Sequence, residues 1–231
     1  ANWLHATRAP SPLFPLALFR VHTYRVGVIG NLFARLGSGS MPFLIPLMLQ
    51  VGLGYSALDA GLMMIPLAVA GLFSKRCVVA IVREFGYRHV LIGNTLLVGL
   101  AMASFALTGP AQPLWLRLVQ LACFGMVNSL QFTAMNTITL RDLDGELASS
   151  GNGLLSMVMM LSMSLGVATT SGLLAAFTEL SGSGHGGATL PAFHATFLCA
   201  GLVTALSAWI FWQLEAEPRP AEVTLRADSP E

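Results

Sequence analysis

The sequence predicts an all-α integral membrane fold, a bundle of six transmembrane helices. Three observations predict it. Of the residues, 55% are hydrophobic and only 10% charged, where soluble domains carry about 25% charged residues; the mean hydropathy of +0.70 is too apolar for a water-facing surface. The apolar residues gather into runs close to or longer than the roughly 20 residues that cross a bilayer as helix. The charges gather between the runs and favour one side of the membrane.

The runs are 26–51, 57–82, 89–107, 114–139, 150–177 and 193–214. Several exceed the bilayer thickness, so tilt or extension beyond it is expected. A membrane β-barrel would instead show short alternating segments of about 10 residues. Residues 1–25 read as a cytoplasmic lead-in. That opening lacks the sustained apolar core and small-residue cleavage site of a signal peptide, and it is read as the exit of an earlier helix, with an N-terminal part of a longer protein upstream. Residues 215–231, rich in Pro and charge, read as a disordered cytoplasmic tail.

Orientation follows from arginine placement. Arg8, Arg20, Arg25, Arg83, Arg88, Arg141, Arg219 and Arg226 fall on one side, Arg117 alone on the other. The positive-inside bias predicts that both ends of the chain are cytoplasmic. Six spans also permit two inverted three-helix units.

Arg35 is the most informative residue. It lies near the middle of the first run, in NLFARLGSGS. A charge at that depth is costly and is expected to face a protein interior or a water-filled cavity. The runs hold no mid-membrane Asp or Glu; Asp59 lies near the outer end of the second. Two roles fit Arg35: a site for a substrate or an external carboxylate, or a structural arginine bonded to backbone carbonyls. Asn31 lies one turn before it. Gly37, Gly39, Pro42 and Pro46 predict a kink or local unwinding in the same helix, a feature of transporter sites and also of plain packing kinks. Lys75 and Arg76 lie far enough from the second run's end to snorkel or to line a cavity mouth.

The fourth run carries Gly125, Ser129, Thr133 and Thr137 at intervals of four, one helical face of small residues suited to close packing. Asn128, Gln131 and Asn136 add amides that need partners in an apolar setting, on a neighbouring helix or on a substrate. In the fifth run Ser162, Gly166 and Thr170 repeat the small-residue spacing beside Met157, Met159, Met160 and Met163, a set suited to packing, lipid contact or an adaptable pocket.

Other classes are excluded. Cys77, Cys123 and Cys199 are scattered within apolar runs and form neither a disulfide framework nor a metal site. The histidines are dispersed, and HExxH, nucleophile-elbow and Walker A motifs are absent, so neither an enzyme nor an ATP-driven pump is expected. No basic run suggests nucleic acid.

The segment VVAIVREFGYRHVLIGN at 78–94 resembles the second copy of a loop motif of the major facilitator superfamily, loosely G-x-L-x-D-R-x-G-R-R-x-x-L. Gly86, Arg88 and Leu91 fit; Val79 replaces the first glycine, and Arg83-Glu84 reverses the acidic-basic pair. The penultimate run (148–174) and the stretch 12–67, with RLGSGSMPF, AGLMMIP, GMVNSLQFTAMNT and SSGNGLLSM, resemble the EmrB/QacA-type drug:proton antiporters of that superfamily, in particular its multidrug permeases, over about 12–214.

The resemblance implies the C-terminal half of a major facilitator fold. It implies a bacterial inner-membrane carrier that exports drugs or other small lipophilic molecules by alternating access, in a protein of 12 spans, or 14 with two extra central ones. The energy source would be the proton gradient, with no cofactor; the partners would be the lipid bilayer, the substrate and the missing N-terminal half. That half would hold the family's antiporter motif and an acidic residue in its first helix, with which Arg35 would pair. A carrier for one metabolite is the alternative, and a non-transport membrane subunit a further one.

Overall fold

A computed structural model describes residues 16–181 and 189–214, with side chains for all of these except 16, 17, 75–77, 79 and 146. Among the described residues every regular element is helical. Six apolar segments are long enough to span a membrane: His22–Gly52, Ala57–Ser74, Ala80–Leu107, Leu114–Leu140, Leu147–Leu180 and Leu190–Phe211. The lead-in up to residue 15, the tail from 215 and the 182–188 stretch of the Gly-rich connection lie outside the described residues, as do the side chains of Lys75 and Arg76.

The first span consists of α1 (His22–Ser38), α2 (Met41–Leu47) and a π-helical turn, Met48–Gly52. The break falls where the ladder fails: Pro42 has no N–H to give, and after the last regular bond, from Gly39 N–H to the Arg35 carbonyl, Ser40 N–H reaches back only three residues, to Gly37. Pro46 removes a second donor, and the helix widens into the π turn just after it.

The second and third spans follow one another with hardly a loop: α3 (Ala57–Met63) leads into α4 (Ile65–Ser104), which is two helical arms joined at a kink. One residue of α4, Gly86, has non-helical angles, φ 74° and ψ 155°, a region essentially closed to residues with a Cβ. Ser129 of the fourth span bonds to Gly71 before the break, and Asn94 after it bonds to Val127 and Gln131 of that same span. The two arms therefore run antiparallel beside the fourth span, and Val78 and Val82 pack with Val90 across the break. The expected 83–88 connection is thus nearly all helix, because one glycine suffices to reverse it.

The fourth span is α5 (Leu114–Leu140), the fifth α6 (Gly145–Leu180), and the sixth α7 (Leu190–Leu206) with α8 (Ala208–Phe211). Partners are exchanged between the two triplets: the first span packs on the fifth and sixth, the fourth on the second and third, and the third on the sixth. Two inverted three-helix units would pack in this way.

Small residues set the distances, since lipid offers no hydrophobic drive between helices. A Cβ on Gly166 would come within 2.5 Å of the Leu36 carbonyl oxygen, one on Gly125 would overlap the Leu67 backbone, and one on Gly37 would meet the Ala200 carbonyl oxygen at 2.5 Å. The main apolar core lies toward the end opposite Arg83 and Arg141. Met41, Leu44, Ile45 and Met48 pack there with Phe105, Phe124, Phe193 and Phe197, and Phe105 stands edge-on to Phe124 at 5.8 Å.

Candidate functional site

Arg35 lies about 20 Å along the helix from His22. It is 9% exposed. Its Nε donates to Asn31 Oδ1 at 3.1 Å, and its guanidinium carbon sits 4.3 Å from the centroid of the Phe132 ring on the fourth span. Asn31 is in turn fixed by its amide, which donates to the Gly27 carbonyl at 3.1 Å and the Thr139 hydroxyl at 3.4 Å. The close approach of α1 and α5 that permits this rests on Gly27, where a Cβ would overlap Thr139.

A guanidinium carries five N–H donors. One is used on Asn31, and the face of the group is used on Phe132. Among the described residues the ion pair is Arg141–Asp142 at 3.0 Å, and no carboxylate pairs with Arg35. The site is thus a pre-oriented cation, stacked on an aromatic ring, with donors free for an acceptor from outside this bundle.

Asn128 and Asn136 lie one turn to either side of Phe132, which puts them on the same face of α5. Asn128 is half-buried and makes no side-chain hydrogen bond among the described residues; Asn136 Oδ1 is buried without a partner.

Gln131 points elsewhere. It accepts from Asn94 at 2.8 Å and donates to the Thr95 hydroxyl at 2.5 Å, which ties the fourth span to the third. The small-residue face is used for packing: Ser129 donates to the Gly71 carbonyl at 2.8 Å, while Thr133, Ser162 and Thr170 bond back to their own helices. Gly39, read for its kink, also lies against Met163 of the fifth span. Met157, Met160 and Met163 are exposed on that span.

The loop-motif residues lie at the end that carries Arg141. Arg83 and Glu84 are exposed. Arg88 stacks on Trp212 at 5.4 Å and Arg141 on Tyr87 at 5.7 Å. His22 is 3.1 Å from the Gln213 carbonyl, so the two described ends of the bundle meet there. The Thr23 hydroxyl, and secondly Arg141, hold the Asp142 carboxyl below its ordinary value.

At the opposite end Arg117 is 2% exposed. It bonds to the Tyr55 hydroxyl and to the carbonyls of Gly109 at 2.9 Å and Gln112 at 3.3 Å, so it staples the 108–113 connection. Ser56 caps α3: its hydroxyl accepts from the Asp59 N–H and donates to the Asp59 carboxylate at 2.7 Å. Two hollows of about 490 and 390 Å³ lie toward this end, one lined by Tyr55, Asp59, Leu62 and Leu118, the other by Phe43, Leu47, Leu174 and Glu179.

Sequence reasoning did not single out Phe132, Thr139, Asn94 or Thr95. Phe132 carried a signal that was available, its spacing of four from both Asn128 and Asn136.

Comparison with known proteins bears on this arrangement. The family profile described as Major Facilitator Superfamily matches residues 4–167. Proteins carrying the name multidrug resistance protein MdtD are similar. That of Pectobacterium atrosepticum is 48% identical over 90% of this chain and 45% of its own length. That of Serratia proteamaculans is 46% identical over 93% and 45%, and that of Citrobacter koseri 47% identical over 90% and 44%. The chain therefore spans about half the length of these curated relatives.

Proposed function

Because the chain belongs to the Major Facilitator Superfamily, a family of transporters, we propose that it forms the C-terminal half of a proton-coupled exporter of drugs or other small lipophilic molecules. The carrier works by alternating access across a bacterial inner membrane, and both ends of this chain face the cytoplasm. The chain itself is a six-helix, multi-pass membrane bundle. The relatives' names support drug export, and the arginine-rich end supports the orientation.

One observation carries the reading: Arg35 is buried at mid-span, oriented by Asn31 and Phe132, with no carboxylate beside it among the described residues. Removing a charge from water costs several kcal/mol unless it is paired. Stacking on a desolvated ring returns only about 2 kcal/mol. The balance is met by an acceptor that reaches Arg35 from outside this bundle, either a carboxylate of the upstream half or the substrate. A carboxylate that alternates between a proton and Arg35 couples the proton gradient to the rocking of the two halves. The second and fifth spans, the least covered in the bundle, supply faces on which the upstream half docks.

The test uses the full-length reading frame in an efflux-deficient host and follows extrusion of neutral and cationic lipophilic dyes, with and without a protonophore. Protonophore-sensitive extrusion is the expected result. A carrier present in the membrane that extrudes none of the dyes overturns the reading.

A further inference from the structure

Phe132 is 42% exposed although it lies well inside its span. One face of its ring is taken by the Arg35 guanidinium at 4.3 Å. The remaining surface opens beside Asn128 and Asn136, and the Asn136 oxygen is buried without a partner. A phenyl ring with a cation fixed on one face has its π-density drawn toward that face. Its other face then attracts a neutral or electron-rich ring by offset stacking. While the partner carboxylate carries its proton, a cationic ring placed there would meet the field of Arg35 through one thickness of phenyl, in a site of low dielectric where like charges repel strongly.

We propose that Phe132 is a specificity-determining residue, a stacking platform backed by Arg35 that selects planar uncharged aromatic compounds over planar aromatic cations. This rests on the reading of the chain as half of a small-molecule carrier, and it adds a chemical preference to that carrier's site.

The test measures equilibrium binding to the purified full-length carrier in nanodiscs, without a gradient, using two fluorescent probes: neutral phenylnaphthylamine and cationic ethidium. The wild type binds phenylnaphthylamine the more tightly. Phe132→Leu weakens phenylnaphthylamine by about two- to tenfold, the worth of one aromatic stacking contact, and shifts ethidium less. Phe132→Tyr keeps the wild-type preference. Arg35→Gln narrows the gap between the probes by tightening ethidium. Should Phe132→Leu fail to fold, Phe132→Met is measured with the same expectation.

Equal changes for both probes in the ring-less variant, or no change for phenylnaphthylamine, overturn the platform. So does a wild type that binds neither probe or prefers ethidium. A carrier that shows the binding pattern but extrudes no dye sinks the efflux reading and leaves the platform standing.

Discussion

Gly99 of the third span and Gly201 of the sixth lie against each other's backbones: a Cβ on either would come within 2.7 Å of the other's carbonyl oxygen. Each triplet of helices thus contributes one glycine to the contact between its last span and that of the other triplet. Gly99→Val should lower the thermal stability of the full-length carrier by about 1–3 kcal/mol, the usual cost of overpacking. Gly93→Ala is the matched control on the same helix, where a Cβ meets nothing within 4 Å. It should be neutral or stabilising by up to about 1 kcal/mol. Melting of the detergent-solubilised protein followed by tryptophan fluorescence separates the two.

Gly86 reverses the chain between the second and third spans at φ 74°, ψ 155°. A Cβ there would meet no atom within 4 Å, so any effect of Gly86→Ala is backbone strain alone. The expected loss is about 1–3 kcal/mol, seen as a lower melting temperature. An unchanged melting curve would mean that the reversal is made elsewhere.

Gln131 holds Asn94 and Thr95 across the interface of the third and fourth spans. Gln131→Leu should cost about 0.6–2 kcal/mol of stability, the range for hydrogen bonds between membrane helices, because Asn94 and Thr95 keep bonds to the Val127 and Leu91 carbonyls. Dye KM should be unchanged. A raised KM at unchanged stability would move Gln131 from the scaffold into the transport site.

Asp142 lies between the fourth and fifth spans, with its carboxyl held below its ordinary value by Thr23 and secondly by Arg141. A depressed folded-state pKa adds stability that is fully present above the unfolded value and is lost as pH falls through the folded one. The melting-temperature difference between wild type and Asp142→Asn should therefore be constant from neutral pH down to about 4 and shrink below it. The carboxyl is largely solvated, so the difference is small. A difference that grew on acidification would contradict the assignment.

Much of the fold was legible because hydropathy reports membrane crossing directly. Six apolar runs appear in the sequence and six apolar spans in the structure. Arg35 was legible for a related reason, since one charge in an apolar run stands out by its cost. Direction was harder to read. Asn128, Gln131 and Asn136 look alike as amides in one helix, yet the helical turn sends Gln131 toward the third span and the other two to the Phe132 face. Phe132 was hidden by its chemistry, because an aromatic in an apolar run differs from its neighbours only once Arg35 is seen above it. Gly99 and Gly201 were hidden because their meeting depends on how two distant spans cross.

The most direct test of the central claim is dye movement driven by an imposed pH gradient in proteoliposomes of the full-length carrier, for wild type and Arg35→Gln. The account predicts gradient-driven movement in the wild type. It predicts that Arg35→Gln slows this movement by about tenfold or more, consistent with the loss of a buried charge partner, and flattens its pH dependence while the protein stays folded. A variant that moves dye at the wild-type rate with the wild-type pH profile would contradict it.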